Sequence, residues 1–125
     1  VIAGTGFRLV DIEEVWPRWA ARAERSRAGA EHLEWVRRQC ARGIALCLEC
    51  DDGMAVITLS ADGAGMRVLL AVGKPGAMKR READLLEVAR AIGATEVTFR
   101  TDRPAWRRAA GPAWAADDDR FRRAA

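Results

Sequence analysis

Met66-Arg67-Val68-Leu69-Leu70-Ala71-Val72, then Gly73-Lys74-Pro75-Gly76, then a helical pattern from Ala77 to Ile92, then Glu96-Val97-Thr98-Phe99-Arg100: this stretch decides the fold. The first and last runs have strand character. Between them Leu85, Leu86, Ala89 and Ile92 recur at helical spacing, and Gly93 stops the helix. Strand, turn, helix, strand reads as a parallel βαβ crossover. Pro104 then opens a further short helical piece. A turn that runs into a helix start leaves backbone N–H groups pointing outward, which makes it a natural anion seat. A cofactor site, if the chain has one, is expected at residues 73 to 81.

The chain upstream supplies the rest of a sheet and two helices. Phe7-Arg8-Leu9-Val10 is a short strand candidate, and Asp11 stands at an N-cap position with Glu13 and Glu14 in the first turn. Ile12, Val15, Trp16, Trp19, Ala20 and Ala23 form an apolar stripe, with Arg18, Arg22 and Arg25 on the outer face. Pro17 sits in the first turn of this helix or kinks it. Ala30 to Arg42 reads as a second helix, with Leu33, Val36 and Cys40 inward and Gly43 closing it. His32, the one histidine, reads as a solvated or capping residue, with a general base as the alternative. Ile44–Cys50, Met54–Ser60 and Met66–Val72 are separated by the turn signals Asp51-Asp52-Gly53 and Ala61-Asp62-Gly63-Ala64-Gly65. They predict an antiparallel meander, with Val97 to Phe99 parallel beside Met66 to Val72 at a splayed pair.

At 125 residues the chain reads as one domain over residues 1–114, followed by a charged tail, 115–125, whose clear anchor is Phe121. The net charge is +3, with arginine far in excess of lysine. Nonspecific nucleic-acid binders carry a denser basic stripe. No apolar run approaches the ~20 residues of a membrane span, and no signal-peptide pattern is visible. The expected location is therefore the cytoplasm. Three cysteines in such a chain read as free thiols. Cys47-Leu48-Glu49-Cys50 has the spacing of a metal knuckle, but residues three apart on a strand face opposite sides, so no metal site is expected.

Lys79, Arg80 and Arg81 crowd the start of the crossover helix, where cations oppose the macrodipole. Two readings stay open. An anion sits there, or the cations form a solvated face partnered by Glu82 and Asp84.

This order of elements, from Phe7 to Trp114, resembles the fold of the GNAT family of N-acetyltransferases. In that family the fourth strand enters a pyrophosphate-binding turn with an Arg/Gln-x-x-Gly-x-Gly/Ala signature, and acetyl-CoA lies across the splayed strands. The matching stretch here, Gly73 to Arg81, has glycine, a small residue and basic side chains without that signature. Leu85-Leu86, Ala89, Gly93 and the strand at Val97 to Phe99 fit the family. Ala105-Trp106-Arg107-Arg108-Ala109-Ala110-Gly111 looks like its closing Ala-x-x-Phe-Tyr-x-x-x-Gly-Phe segment, with Trp106 where the family often has tyrosine.

The resemblance implies a single α+β domain: a mixed, mostly antiparallel sheet flanked by helices. It also implies acyl-CoA contacts at Val72, Lys74, Gly76, Ala77, Lys79, Arg80 and Arg81. The family's tyrosine often protonates the leaving thiolate, and this chain has no tyrosine, so no catalytic residue is assigned. The leading expectation is a non-catalytic member without cofactor, acting as a binding or structural component. Such a chain is similar to GNAT-like proteins encoded among tailed-phage morphogenesis genes. It would engage a protein partner or itself through Trp114, Phe121 and Arg122. The rival is an active acyl-CoA-dependent N-acetyltransferase with an atypical phosphate loop and acetyl-CoA as its cofactor. A third reading is a nucleic-acid binder using Arg100, Arg103, Arg107 and Arg108.

Overall fold

The meander forms where the turn signals put it. In the computed structural model, which describes residues 2, 4–26, 28–101, 111–117 and 120–125, β2 (Leu46–Cys50), β3 (Gly53–Leu59) and β4 (Gly65–Gly73) pair antiparallel in sequence order. A short β1 (Arg8–Val10) joins β2, and β5 (Glu96–Arg100) runs parallel to β4. Two further strands, β6 (Ala115–Asp117) and β7 (Arg120–Ala124), complete a seven-stranded sheet in the order β1-β2-β3-β4-β5-β7-β6. Only the β4–β5 pairing is parallel among these. The sheet is therefore mixed and mostly antiparallel, as expected.

Helix α1 (Ile12–Arg25) starts on Asp11, whose side chain accepts from the Glu13 N–H at 2.9 Å. Pro17 lies inside this helix, yet the helix runs on to Arg25. With α2 (Ala30–Ala41) it covers one face of the sheet: Val15, Trp19, Leu33 and Val36 pack on Cys47, Val56, Leu70 and Val72. The other face is covered by α4 (Glu82–Ala91), which buries Leu86, Val88 and Ala89 against Leu48, Cys50, Met66 and Val97. Cys47 and Cys50 thus belong to opposite cores, and all three cysteines are free thiols. Burial pushes the Cys47 thiol up to about 12. Among the described residues no group of acids, histidines and cysteines is placed to hold a metal. No described helix is long and apolar enough to cross a membrane.

Glu49 is 1% exposed and would be costly to bury alone. Its carboxylate accepts from Trp19 Nε1 at 2.7 Å, from Arg18 at 2.9 and 3.0 Å and from Arg8 at 2.6 Å. Burial would push this carboxyl up, but those hydrogen bonds outweigh it and hold it below the ordinary value. The cluster ties β1, α1 and β2 together.

Two expectations are corrected. The helix expected as one piece from Ala77 to Ile92 is broken at Arg81 into α3 (Ala77–Arg80) and α4. Arg81 leaves helical geometry at φ −97°, ψ 7°, and both Arg80 and Arg81 turn to Asp52 in the β2–β3 turn. The charged tail, expected to begin at Ala115, is part of the sheet: β7 pairs with β5 over five residues. Alternation explains it. Phe121 points inward at 2% exposure and stacks on Phe99 with ring centroids 5.0 Å apart, while Arg120 and Arg122 point out.

Candidate functional site

The site begins with a misfit between strands. Val56 opposes Leu70 and Ile57 opposes Val68, so Leu69 is an extra residue, a bulge in β4. The parallel pairing of β4 with β5 ends at the same place, at Val68 opposite Phe99. Beyond it β4 runs on to Gly73 while β5 stops at Arg100. The strands part and open a cleft of about 660 Å³. Val68, Leu70 and Phe99 line its inner part, and the loop from Gly73 to Lys79 lines its outer part.

His32, read from the sequence as a solvated or capping residue with a general base as the alternative, stands at this junction. Its Nε2 lies 2.8 Å from the Leu69 carbonyl oxygen. A carbonyl only accepts, so Nε2 carries the hydrogen of this bond and Nδ1 is not engaged by it. The ring also stacks on Trp35, centroids 5.6 Å apart. What the sequence does not show is its partner, a backbone oxygen at a bulge 37 residues away. No side-chain pattern encodes that contact.

The residues expected at the cofactor loop come together with different roles. Val72 and Ala77 are buried and shape the floor. Gly73 is needed for close packing: a Cβ there would stand 2.5 Å from the Asp52 carbonyl oxygen and 2.9 Å from the Ala77 Cβ. Gly76 has φ +76°, a left-handed conformation that glycine adopts without strain. It caps α3, and no side chain caps that helix start. The Ala77 N–H donates back to the Lys74 carbonyl at 2.9 Å, and the Arg80 N–H to the Gly76 carbonyl at 3.1 Å.

The cations of the loop divide. Arg80 bonds Asp52 Oδ2 at 2.9 and 3.2 Å, and Arg81 bonds Asp52 Oδ1 at 3.0 Å and Asp84 at 3.3 Å. Hydrogen bonds from Cys50, Arg81 and Arg80 hold the Asp52 carboxyl well below the usual carboxylate range. Lys79 reaches Glu82 at 3.3 Å. Lys74 is exposed and has no ion-pair partner among the described residues. Both sequence-based partners, Glu82 and Asp84, are used, but the main counter-charge is Asp52. Arg22, assigned to the outer face of α1, instead donates to the Gly73 carbonyl at 3.2 Å.

The aromatic partner surface expected at Trp114 and Phe121 is corrected at Phe121. Phe121 is core, and Trp114 packs edge-on to Phe99 at 5.0 Å and donates its indole N–H to Glu82, on the cleft wall. Arg122 stays at the surface, 3.8 Å from Glu96. Of the arginines proposed for nucleic acid, Arg100 lines the cleft; Arg103, Arg107 and Arg108 lie outside the described residues, as do Trp106 and the short helix expected from Pro104.

No family model and no curated sequence matches this chain. Solved structures do. A GNAT-family protein from Desulfovibrio desulfuricans superposes with a TM-score of 0.63 at 14% identity, over 93% of this chain and 96% of that one. A GNAT-family acetyltransferase from Brucella melitensis, solved with acetyl-CoA, gives 0.63 at 16% identity over 94% and 87%. N-acetylglutamate synthase from Neisseria gonorrhoeae, solved with coenzyme A and N-acetyl-glutamate, gives 0.60 at 17% identity. The match covers 94% of this chain and 35% of the synthase, so this chain spans about a third of its length. Sequence likeness this low carries the fold alone, and the fold is the GNAT acetyltransferase fold.

Proposed function

We propose that this protein binds an acyl-coenzyme A thioester in the β4–β5 cleft and transfers the acyl group to an amine. One observation carries the reading. β4 and β5 part at the Leu69 bulge, and the resulting cleft runs from His32 out to the turn at Gly76. The residues fit such a ligand. The inner wall is apolar enough for a pantetheine arm, and the exposed Lys74 ammonium beside the Gly76 turn would hold phosphate oxygens. The Brucella and Neisseria relatives in fold were solved with acetyl-CoA and coenzyme A.

A bound thioester supplies an activated carbonyl and a thiolate leaving group. This chain's own part is to orient the amine and take its proton. His32 is suited to accept that proton, because Nε2–H is committed to Leu69 and Nδ1, which that bond does not engage, is the nitrogen to take it. The missing tyrosine is tolerable because thiols ionise near pH 8.5, so a thiolate can leave unprotonated. General-acid help is worth roughly 10²- to 10⁴-fold, which sets a slow enzyme rather than an inactive one.

A second reading rests on Asp52, which takes up two cations the phosphates would need. On it the protein is a non-catalytic binding or structural component, as of a phage particle. Thermal unfolding with and without acetyl-CoA tests the proposal. Saturation at about 100 times Kd stabilises by about 2.7 kcal/mol, several degrees in a domain of this size. Absence of any shift at millimolar acetyl-CoA overturns the proposal. A shift without thiol release on any amine favours the second reading.

A further inference from the structure

A second cavity, of about 750 Å³, opens on the α1–α2 face of the sheet, beside Trp35. His32, Val68, Leu69, Phe99 and Arg100 line both cavities, so the two meet at the bulge. If the thioester occupies the first, the second opens a route for the amine to the same junction. The chemistry of this second wall therefore names the acceptor.

Arginine dominates that wall. On β5, Val97 and Phe99 face the α4 core, so Thr98 and Arg100 face the other way. Phe121 fixes the same alternation on β7 and turns Arg120 and Arg122 to the Arg100 side. Arg100 stands directly opposite Arg120 in the antiparallel pair. One row back, Arg67, Thr98 and Arg122 lie side by side across three strands. Like charges directly opposed in a sheet destabilise it. The described residues offer Arg67, Arg100 and Arg120 no ion pair, and Arg122 has only Glu96 at 3.8 Å.

The acids of this cavity are elsewhere. Glu96 lies two strand rows from Arg100, roughly 13 Å along β5, opposite Gly65 at the far end. Asp62 is in the β3–β4 turn, where it accepts from Ser60 Oγ at 2.6 Å and the Ala64 N–H at 2.9 Å. The uncompensated charge is concentrated at Arg100 and Arg120, next to the junction with the first cavity. Two planar guanidinium forks side by side match the oxygens of a carboxylate or phosphate. A concave seat of this size suits a small molecule better than a nucleic-acid duplex.

We propose that Arg100 and Arg120 seat an oxyanion, carboxylate or phosphate, of the acyl acceptor, so that the acceptor is a small anionic amine delivered toward His32. This rests on the acyltransferase reading. Thiol release from acetyl-CoA is measured with L-glutamate and phosphoethanolamine, and with their uncharged counterparts, L-glutamate dimethyl ester and ethanolamine. At least one anionic amine should exceed its counterpart in kcat/KM by about tenfold or more. Which of the two does so separates carboxylate from phosphate. Arg100→Gln and Arg120→Gln should each erase that preference by raising KM, and Arg120→Gln, outside the acyl-CoA cleft, should do so with kcat and the acetyl-CoA shift in Tm retained. Arg120→Lys should fall between. Equal rates on both members of each pair, or a preference untouched by the variants, overturns the inference and leaves the acyl-CoA reading standing.

If acetyl-CoA neither binds nor turns over, the acyltransferase reading fails. The seat is then judged by calorimetric titration with glutarate and with inorganic phosphate. Binding weakened at least fivefold in the Arg120→Gln variant supports it, and no binding overturns it. Tight binding of a single-stranded oligonucleotide that glutarate and phosphate do not displace also overturns it.

Discussion

Arg80 and Arg81 share one carboxylate, Asp52, while Arg100 and Arg120 face each other with none among the described residues. The first pair is adjacent in sequence, at the expected cofactor loop, and its charge is spent on the fold. The arginines bind α3 and the start of α4 to the β2–β3 turn, and Arg80 also donates to the Pro75 carbonyl at 2.9 Å. The second pair is twenty residues apart in sequence and is assembled only by the β5–β7 pairing. A run of basic residues is thus a poor guide to where an anion will sit. What counts is the charge left over after the chain has paired its own groups, and that depends on topology.

The largest effect should come from dismantling the second pair's scaffold. Phe121 is enclosed against Phe99, and Phe→Ala in a core typically costs about 3–5 kcal/mol. Phe121→Ala should therefore lower the denaturant midpoint by a large fraction of total stability, at unchanged m-value. Arg122→Ala, one residue along and on the open side, should change stability by less than about 0.5 kcal/mol. Equal midpoints for wild type and Phe121→Ala would mean that the segment after Ala115 is an appendage, and the arginine pair would lose its support.

That contrast also marks how far the sequence could be read. The meander, the parallel β4–β5 crossover and the two cysteines in opposite cores follow from local rules: Asp-Gly turns, a Gly93 stop and strand alternation. Phe121 was visible as an anchor, but its target was not. Arg-Phe-Arg-Arg carries only one apolar residue, too few for a strand signal, and it becomes a strand because β5 has an open edge. The Asp51-Asp52-Gly53 turn was legible as a turn. The ion pairs of Asp52 to residues 28 and 29 positions onward were not, since nothing local specifies them. His32 was legible as a candidate base, but its contact with the Leu69 carbonyl was not, for the same reason, and neither was the Leu69 bulge that opens the site.

Asp52 offers a way to make the first pair resemble the second. Asp52→Asn removes the shared negative charge and leaves Arg80 and Arg81 facing the loop. Acetyl-CoA affinity should rise about fivefold at low salt, the effect fading above physiological ionic strength. The wild-type carboxyl has a depressed pKa in the folded state. The stability it contributes is present above its ordinary titration range and is lost as pH falls through the folded value. Wild type and Asp52→Asn should therefore differ in Tm at neutral pH and converge only in strong acid. A variant that loses acetyl-CoA affinity while keeping its fold would show that the arginines must stay pinned to position the loop.

Lys74 makes the smallest and sharpest test, because it is the loop's counterpart of Arg100 and Arg120. Its backbone is fixed, the N–H donating to the Asp52 carbonyl at 2.8 Å and its own carbonyl accepting from Ala77 at 2.9 Å. Its ammonium is exposed and has no ion pair among the described residues. An exposed, unpaired side chain contributes little to the fold, so Lys74→Ala should change unfolding stability by less than about 0.5 kcal/mol. If leftover charge marks the anion site, the same substitution should weaken acetyl-CoA binding about fivefold at low salt. The loss should shrink steadily as salt rises, since an exposed contact is screened within about 10 Å at 0.1 M. Arg80→Gln gives the reverse profile: stability falls with its two bonds to Asp52, and acetyl-CoA affinity changes less. Should Arg80→Gln cost more affinity than Lys74→Ala, the paired cations would be the phosphate ligands, and the rule drawn from the two arginine pairs would fail at the loop where it was first applied.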